Sequence, residues 1–547
     1  MKHIKTLIFA LLCALAGTAW ADTETLGGYE FTIETDGEGS YYKVDCPAAL
    51  DAIATYVNSN NSHTCSGKRF KQTADITYSY ETAWNSDASY TSNYTPIGGY
   101  FNSRDRFFKG TYDGQGHTIS GIRIYMSGND QSDENQGLFG MTGDGAVIRG
   151  VTLADARITG YTATGGIVGY MYIGGTVSDC HVAANVAIRA HTKNAYDFGS
   201  IVGANYNGTI SYCTSAATLI KDQESPYNFG GIVGFNGGTL NHNLAIGAIV
   251  PSTSDNSHSA ICGDNRNTGT LENNYYYGCT VAGTANATGV GCNNADITEN
   301  DGAVPGIILY DNSSNTDINS YILTTVGNAA VSRVELAGRT LYKDDKLNTL
   351  CLPFDVTVGS GQMEGATAMT LNASTSGFNA SMGVLTLNFT SVTTGNTISA
   401  GTPFIVKWTG SNVTDPVFTG VTVSSTAAGT VKSSDNTVSF KGNYSPVELA
   451  AGGSNYYLGS GNKLYYPSDA RTMNAFRAYF ELTNPTPVKE FRLNFGNEDA
   501  TRLNEELRMK NEEFATAQWY DLNGRKLSGK PTQRGIYIHE GSKVVVP

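Results

Sequence analysis

Short apolar blocks closed by glycine recur through the first half of this chain. Gly137-Leu138-Phe139-Gly140 is followed by Gly166-Ile167-Val168-Gly169, Ser200-Ile201-Val202-Gly203, Gly231-Ile232-Val233-Gly234 and Ala260-Ile261-Cys262-Gly263. The closing glycines stand 29, 34, 31 and 29 residues apart. Behind each of the last four blocks comes a Gly-Thr-apolar step, at Thr176, Thr209, Thr239 and Thr270. The segments between alternate apolar and polar residues and stop at Gly or Asn-Gly, which is the pattern of short strands and tight turns. A period near 30 without a 3.6-residue rhythm argues against helical repeats, and it is too short for a propeller blade of roughly 40–45 residues.

One such unit cannot bury its apolar face alone. Stacking the units as coils aligns Ile167, Ile201, Ile232 and Ile261 in an interior ladder, each side chain worth roughly 1.5–3 kcal/mol when fully buried. Four residues past each threonine stand Cys180, Cys213, Asn243 and Asn274. These are read as one rung position at a turn, two thiols above two amides, with the amides bonding along the stack. The fold class expected is all-β: a right-handed parallel β-helix over residues 100–305, then a β-sandwich and a short C-terminal β-unit.

The glycine blocks resemble the GLUG repeat of extracellular bacterial β-helical proteins, which include adhesins. The resemblance reaches upstream through Thr95-Pro96-Ile97-Gly98 and the run Phe108-Lys109-Gly110-Thr111-Tyr112-Asp113-Gly114-Gln115-Gly116. It implies an N-terminal cap over 22–99, with a short helix at about 48–58 closing the first coil. It speaks for fold more than for function, because one scaffold serves many roles.

After about residue 305 the repeat stops. Leu385-Thr386-Leu387-Asn388-Phe389, Pro403-Phe404-Ile405-Val406-Lys407-Trp408 and Ala475-Phe476-Arg477-Ala478-Tyr479-Phe480 read as strands of a sandwich over 306–498. This stretch resembles a module common in surface proteins of Bacteroidota. A charged linker is expected at 499–517. The tail 518–547 carries Asp521-Leu522-Asn523-Gly524-Arg525, then Gly535-Ile536-Tyr537 and a final valine run. It resembles the C-terminal sorting domain of the type IX secretion pathway, which implies the secretion machinery as a partner.

The N-terminus sets the compartment. Lys2 and Lys5 precede an apolar run from Leu7 to Ala16, and Ala19-Trp20-Ala21 offers a cleavage site, so residues 1–21 read as a signal peptide. That run is too short to span a bilayer, and no later segment is apolar enough, so no integral membrane segment is expected. A net charge of −13 excludes the basic stripe that nucleic-acid binding needs. In an exported chain cysteines can pair, and Cys46 with Cys65 is the pair expected.

Catalytic, cofactor and metal motifs are absent, so no catalytic residue, cofactor or metal ligand is assigned. His539-Glu540 lacks the second histidine of a zinc helix. His181 and His242 flank rung positions, where solvent exposure is expected. The repeat-domain acids do not recur at one phase, as a polysaccharide lyase or glycosidase would favour. The reading is a secreted or surface interaction protein, adhesin-like, binding a glycan or host protein. The alternative is a carbohydrate-active enzyme. Binding is placed on two loops that vary in length between coils, with Tyr196, Asp197, Glu224 and Tyr227 as the contact residues.

Overall fold

The computed structural model describes residues 22–495, apart from 81–89, 253–256, 266–268, 286–288, 291–302, 460–461 and 485–487. Beyond them it describes the backbone of four short strands. The expected signal peptide, the charged linker and Cys292 lie outside the described residues. The chain divides into two compact units: Met1–Arg339 with Thr414–Ser425, and Thr340–Val413 with Thr426–Pro547.

The first unit is a parallel β-solenoid of about eight turns. A representative coil runs Thr209–Ser211, Thr214–Ser215, Thr218–Lys221, Tyr227–Gly230 and Val233–Asn236. Each strand pairs in parallel with its counterparts one coil away, so five stacks run along the solenoid. The Gly-Thr steps fall in register as Thr176, Thr209, Thr239 and Thr270. Ile167, Ile201, Ile232 and Ile261 are all fully buried. Their backbones are tied in sequence, with Ile167 N–H donating to Ile201 O at 3.0 Å, Ile201 to Ile232 at 2.9 Å and Ile232 to Ile261 at 3.0 Å.

The closing glycines have a steric cause. A Cβ on Gly263 would stand 2.6 Å from both Asn228 C and Phe229 N of the coil before. At this point the chain folds back so closely that backbone meets backbone, and only hydrogen fits.

Polar rungs fill the turns. Asn243 Nδ2 donates to Asn274 Oδ1 at 2.9 Å, and Asn243 Oδ1 accepts from the Cys213 N–H at 3.0 Å. A second amide ladder, Asn205 to Asn236 to Asn265, runs at 2.9 and 2.7 Å. Buried amides that bond to the identical group one coil away satisfy themselves without water.

At one corner, between the first and second stacks, a single residue makes the bend. Gly150, Asp179, Tyr212, His242 and Asn273 occupy it in successive coils, all with φ between 52° and 63°. That left-handed conformation turns the chain in one step and leaves the side chain pointing out of the coil.

The solenoid is capped at its start. The helix Pro47–Ser59 buries Leu50, Ile53, Ala54 and Val57 and begins with proline in its first turn, where the missing N–H costs nothing. Antiparallel strands Asp22–Leu26, Tyr29–Asp36 and Gly39–Val44 extend the first stack in front of it.

Three expectations are corrected. Cys46 and Cys65 are free thiols. Cys46 meets the Tyr29 hydroxyl at 3.5 Å, and Cys65 is buried in the core, where desolvation pushes its thiol up to about 12. Secondly, residues 306–339 belong to the solenoid unit. They form a strap of Ile307–Tyr310, a helix Ile318–Val326 and Ala330–Ala337, joined by Val417–Thr422 in a three-stranded sheet. Ile307, Ile308, Leu309, Val334 and Leu336 are all buried. Thirdly, His181 and His242 are covered by this strap. Tyr321 lies over the His181 ring at 5.1 Å.

In the second unit two sheets face one another across an apolar core. One centres on Val384–Val392, flanked by Thr367–Leu371 and Phe404–Lys407. The other centres on Val438–Asn443 and Arg477–Leu482. Leu385, Leu387 and Phe389 from the first sheet meet Phe440, Phe480 and Leu482 from the second, so alternate residues of each strand supply the filling. The final strands Trp519–Tyr520, Lys526–Leu527, Gly535–His539 and Ser542–Val546 pair with one another as a small antiparallel sheet.

Candidate functional site

The four residues assigned from sequence divide. Tyr196 and Tyr227 lie in strands, directly paired across adjacent coils, with rings stacked at 5.4 Å and 15°. Asp197 is buried, and its carboxylate accepts from Asn228 Nδ2 at 2.7 Å. It is a rung group holding the next coil. Glu224 alone stands exposed in a turn. The inserted residues of the 34-residue repeat therefore make a turn at 191–195 and the start of a strand.

The stronger surface feature is a strip of aromatic rings that sequence reading did not single out. Phe107 stacks on Tyr172 at 5.4 Å, Tyr172 meets Tyr170 at 5.7 Å, Tyr170 meets Tyr206 at 5.3 Å, and Tyr206 meets Phe235 at 4.9 Å. Five rings, contributed by four coils, thus run along the outer face of the stack that carries the glycine blocks. Tyr170, Ala204 and Phe235 are register partners, so the line follows the coil spacing of about 4.8 Å. Tyr172 is 43% exposed and Tyr206 45%, while Phe235 is buried beneath. Burial of the Tyr170 body raises its hydroxyl above the ordinary range, so it stays neutral and able to donate. The position after each closing glycine holds Tyr170, Ala204, Phe235 and Asp264, so it marks the strip only in part.

A concave site lies between the cap helix and the first coils. This cleft, about 640 Å³, is lined by Asp51, Asn58, Tyr94, Tyr100, Phe101 and Glu134 among others. Burial raises the pKa of both carboxyls, with Asp105 and Asp133 adding repulsion at Glu134. At Asp51 the Tyr78 hydroxyl donates at 2.7 Å and opposes the shift.

The repeat-domain acids are largely engaged in holding the scaffold. Asp155 pairs with Arg123 at 3.0 Å, and Asp222 lies 2.8 Å from His191 Nδ1. Asp179 accepts from the hydroxyl of Ser313 and the backbone N–H of Ser314, both at 2.6 Å.

No protein-family model matches the sequence, and no solved structure matches it. Over 191 residues, 35% of the chain, it is 30% identical to Halomucin of Haloquadratum walsbyi (strain DSM 16790 / HBSQ001), of which it spans 2%. The β-solenoid and this likeness are consistent with a cell-surface protein. Among the described residues, no helix is long and apolar enough to cross a membrane.

Proposed function

We propose that this chain is an exported surface protein that binds an extended saccharide chain along the aromatic strip of its solenoid. The observation that carries the reading is the exposed pair Tyr172 and Tyr206, held by ring contacts to Phe107, Tyr170 and Phe235. Sugar rings present an apolar C–H face and polar edges. An aromatic plane flanked by hydroxyls complements both, and its two side-chain torsions cost little to order. Because the rings are already packed on one another, little entropy remains to be lost on binding.

The test is a glycan-array screen of the mature full chain, followed by titration of the best ligand. Changing Tyr172 and Tyr206 together to alanine should lower affinity at least tenfold and leave the melting temperature within a degree or two. Undiminished binding in that variant would overturn the reading.

Membership among GLUG-repeat surface proteins of Bacteroidota and export by the type IX pathway belong to the same proposal. They are supported by the glycine blocks and by the Asp-Leu-Asn-Gly-Arg and Gly-Ile-Tyr motifs of the tail. Deleting 518–547 should trap folded protein in the periplasm. Normal delivery of the truncated chain would remove the sorting role.

A second reading is favoured by the cleft at the cap. Two carboxyls of raised pKa beside Tyr100 and Phe101 are the elements of a general acid. If the protein is a carbohydrate-active enzyme, purified chain should release reducing or unsaturated ends from a polysaccharide, and Glu134→Gln should abolish that release.

A further inference from the structure

The corner column of left-handed residues projects Asp179, Tyr212 and His242 from successive coils toward the strap. Asp179 is satisfied there by Ser313 and Ser314. His242 meets a different environment. Its Nε2 lies 3.0 Å from Glu335 Oε1, in the strap strand Ala330–Ala337, and 3.9 Å from Asp415 Oδ2. One donor atom from each of the three residues lies within 4.8 Å of the other two.

Glu335 is 2% exposed. Its Oε2 accepts from the Tyr275 hydroxyl at 2.6 Å, while Oε1 has no hydrogen-bond partner. Both ring nitrogens of His242 are likewise buried without a hydrogen bond. The Nε2–Oε1 contact is an ion pair at 3.0 Å, and it leaves His242 Nδ1 without any partner. Polar atoms without a hydrogen bond in so enclosed a place are costly. Their arrangement is explained if they point toward a common third atom.

We propose that His242, Glu335 and Asp415 bind a divalent first-row metal ion, Zn²⁺ by preference, which clamps the strap to the solenoid. With a neutral imidazole the trio carries a charge of −2, which one such ion cancels. Donor atoms about 2.0–2.1 Å from a tetrahedral ion lie roughly 3.3 Å apart, between the 3.0 and 3.9 Å separations found here. The imidazole selects against Ca²⁺ and Mg²⁺, which take oxygen ligands. Three protein ligands leave the fourth position to water.

The surrounding residues hold the donors in place. Tyr212 stacks on the His242 ring at 5.1 Å and 14°, Tyr275 orients Glu335, and the Gly338 N–H fixes Asp415 Oδ1 at 2.6 Å. Because the ligands come from residues 242, 335 and 415, the ion would close two long loops of chain.

The test uses the mature full chain, purified without a histidine tag and dialysed against EDTA. Titration with Zn²⁺, followed by calorimetry and elemental analysis, should show one equivalent bound, at least tenfold tighter than Ca²⁺. The melting temperature should rise by several degrees. Co²⁺ should give the visible absorption of a four-coordinate ion. His242→Asn keeps a residue that tolerates the left-handed corner, and Asp415→Asn alters a side chain about a third exposed. Each should weaken Zn²⁺ binding at least tenfold while the metal-free melting temperature changes little. No stoichiometric uptake, equal affinity for Ca²⁺, or uptake unchanged in both variants would overturn the proposal and leave His242 and Glu335 as a simple ion pair.

Discussion

Replacing Gly263 with alanine tests why the repeat has the glycine block at all. The new Cβ would stand 2.6 Å from Asn228 C, 2.6 Å from Phe229 N and 2.7 Å from Gly234 O. Ordinary carbon contacts begin near 3.5 Å, so the overlap is about 0.9 Å at its worst, and all three opposing atoms are backbone. Relief requires the strand Cys262–Asn265 to move away from the preceding coil by about that distance. The Ile232 and Val233 N–H bonds to Ile261 O, both 3.0 Å, hold it where it is. Losing two such bonds costs about 1 kcal/mol each, and loosening Ile261 and Cys262 adds about as much again. The expected penalty is roughly 3–4 kcal/mol, the upper end of overpacking effects.

Gly247→Ala is the control. There φ is +69° and nothing lies within 4 Å, so the cost is only that of an L-residue in the left-handed region, about 1–2 kcal/mol. Coils of a solenoid need not unfold together, so hydrogen exchange at the amides of 227–265 should accompany the global denaturant curve. Equal losses in the two variants would refute the steric account of the block.

Asn243→Ala removes the side-chain bonds to Asn274, Cys213 N–H and Ile210 O, the last at 2.9 Å, and strands two buried backbone groups. A loss of about 3 kcal/mol is expected by denaturant titration, and a loss under 1 would show that the ladder is incidental. Burial of His181 lowers its pKa from 6.5 to about 4. The unfolded chain takes up that proton first as pH falls. The buried neutral ring therefore contributes fully above pH 6.5, and its contribution declines toward pH 4, by about 3 kcal/mol in total. The slope of melting temperature between pH 6.5 and 4 should flatten in His181→Leu, and an unchanged slope would assign acid sensitivity elsewhere. Ile201→Asp buries a charge between Ile167 and Ile232, so exchange protection should fall in the coils on both sides as well as in its own. Protection lost only locally would contradict coupling between coils.

The solenoid was legible because its constraint repeats. A Cβ is forbidden at each closing glycine and an apolar side chain is needed beside it, so each coil carries the same four-residue signature at the same place. Asn243 and Asn274 were legible for the same reason, since a buried amide ladder needs the same residue type at the same phase. The sandwich strands 385–389 and 403–408 showed themselves by alternation alone. The binding surface was harder to see. Residue 170 is Tyr and residue 235 is Phe, but the coil between them offers Ala204, and Tyr206 fills that gap from two positions further along. A surface line of rings need only be continuous in space, and no single phase of the repeat records it.

The misplacement of His181 and His242 has one physical cause. In an isolated coil, a side chain at the one-residue corner (His242) or just past it (His181) faces water, and reading the repeat by itself makes these histidines exposed. The strap carries no repeat signature, because it packs on the solenoid once. Its residues are chosen by individual partners: Ser313 and Ser314 for Asp179, Tyr310 for Thr214 at 3.0 Å, Tyr321 for His181, Glu335 for Tyr275 and His242. The same fact makes this corner the place where unrepeated chemistry is found. Within the repeats, an acid or histidine must suit a column shared with its neighbours, and Asp197 duly became a rung group. Where the strap crosses the column, His242 meets two carboxylates that no other coil presents. In this solenoid, repetition builds the scaffold and the interruption of repetition supplies the site.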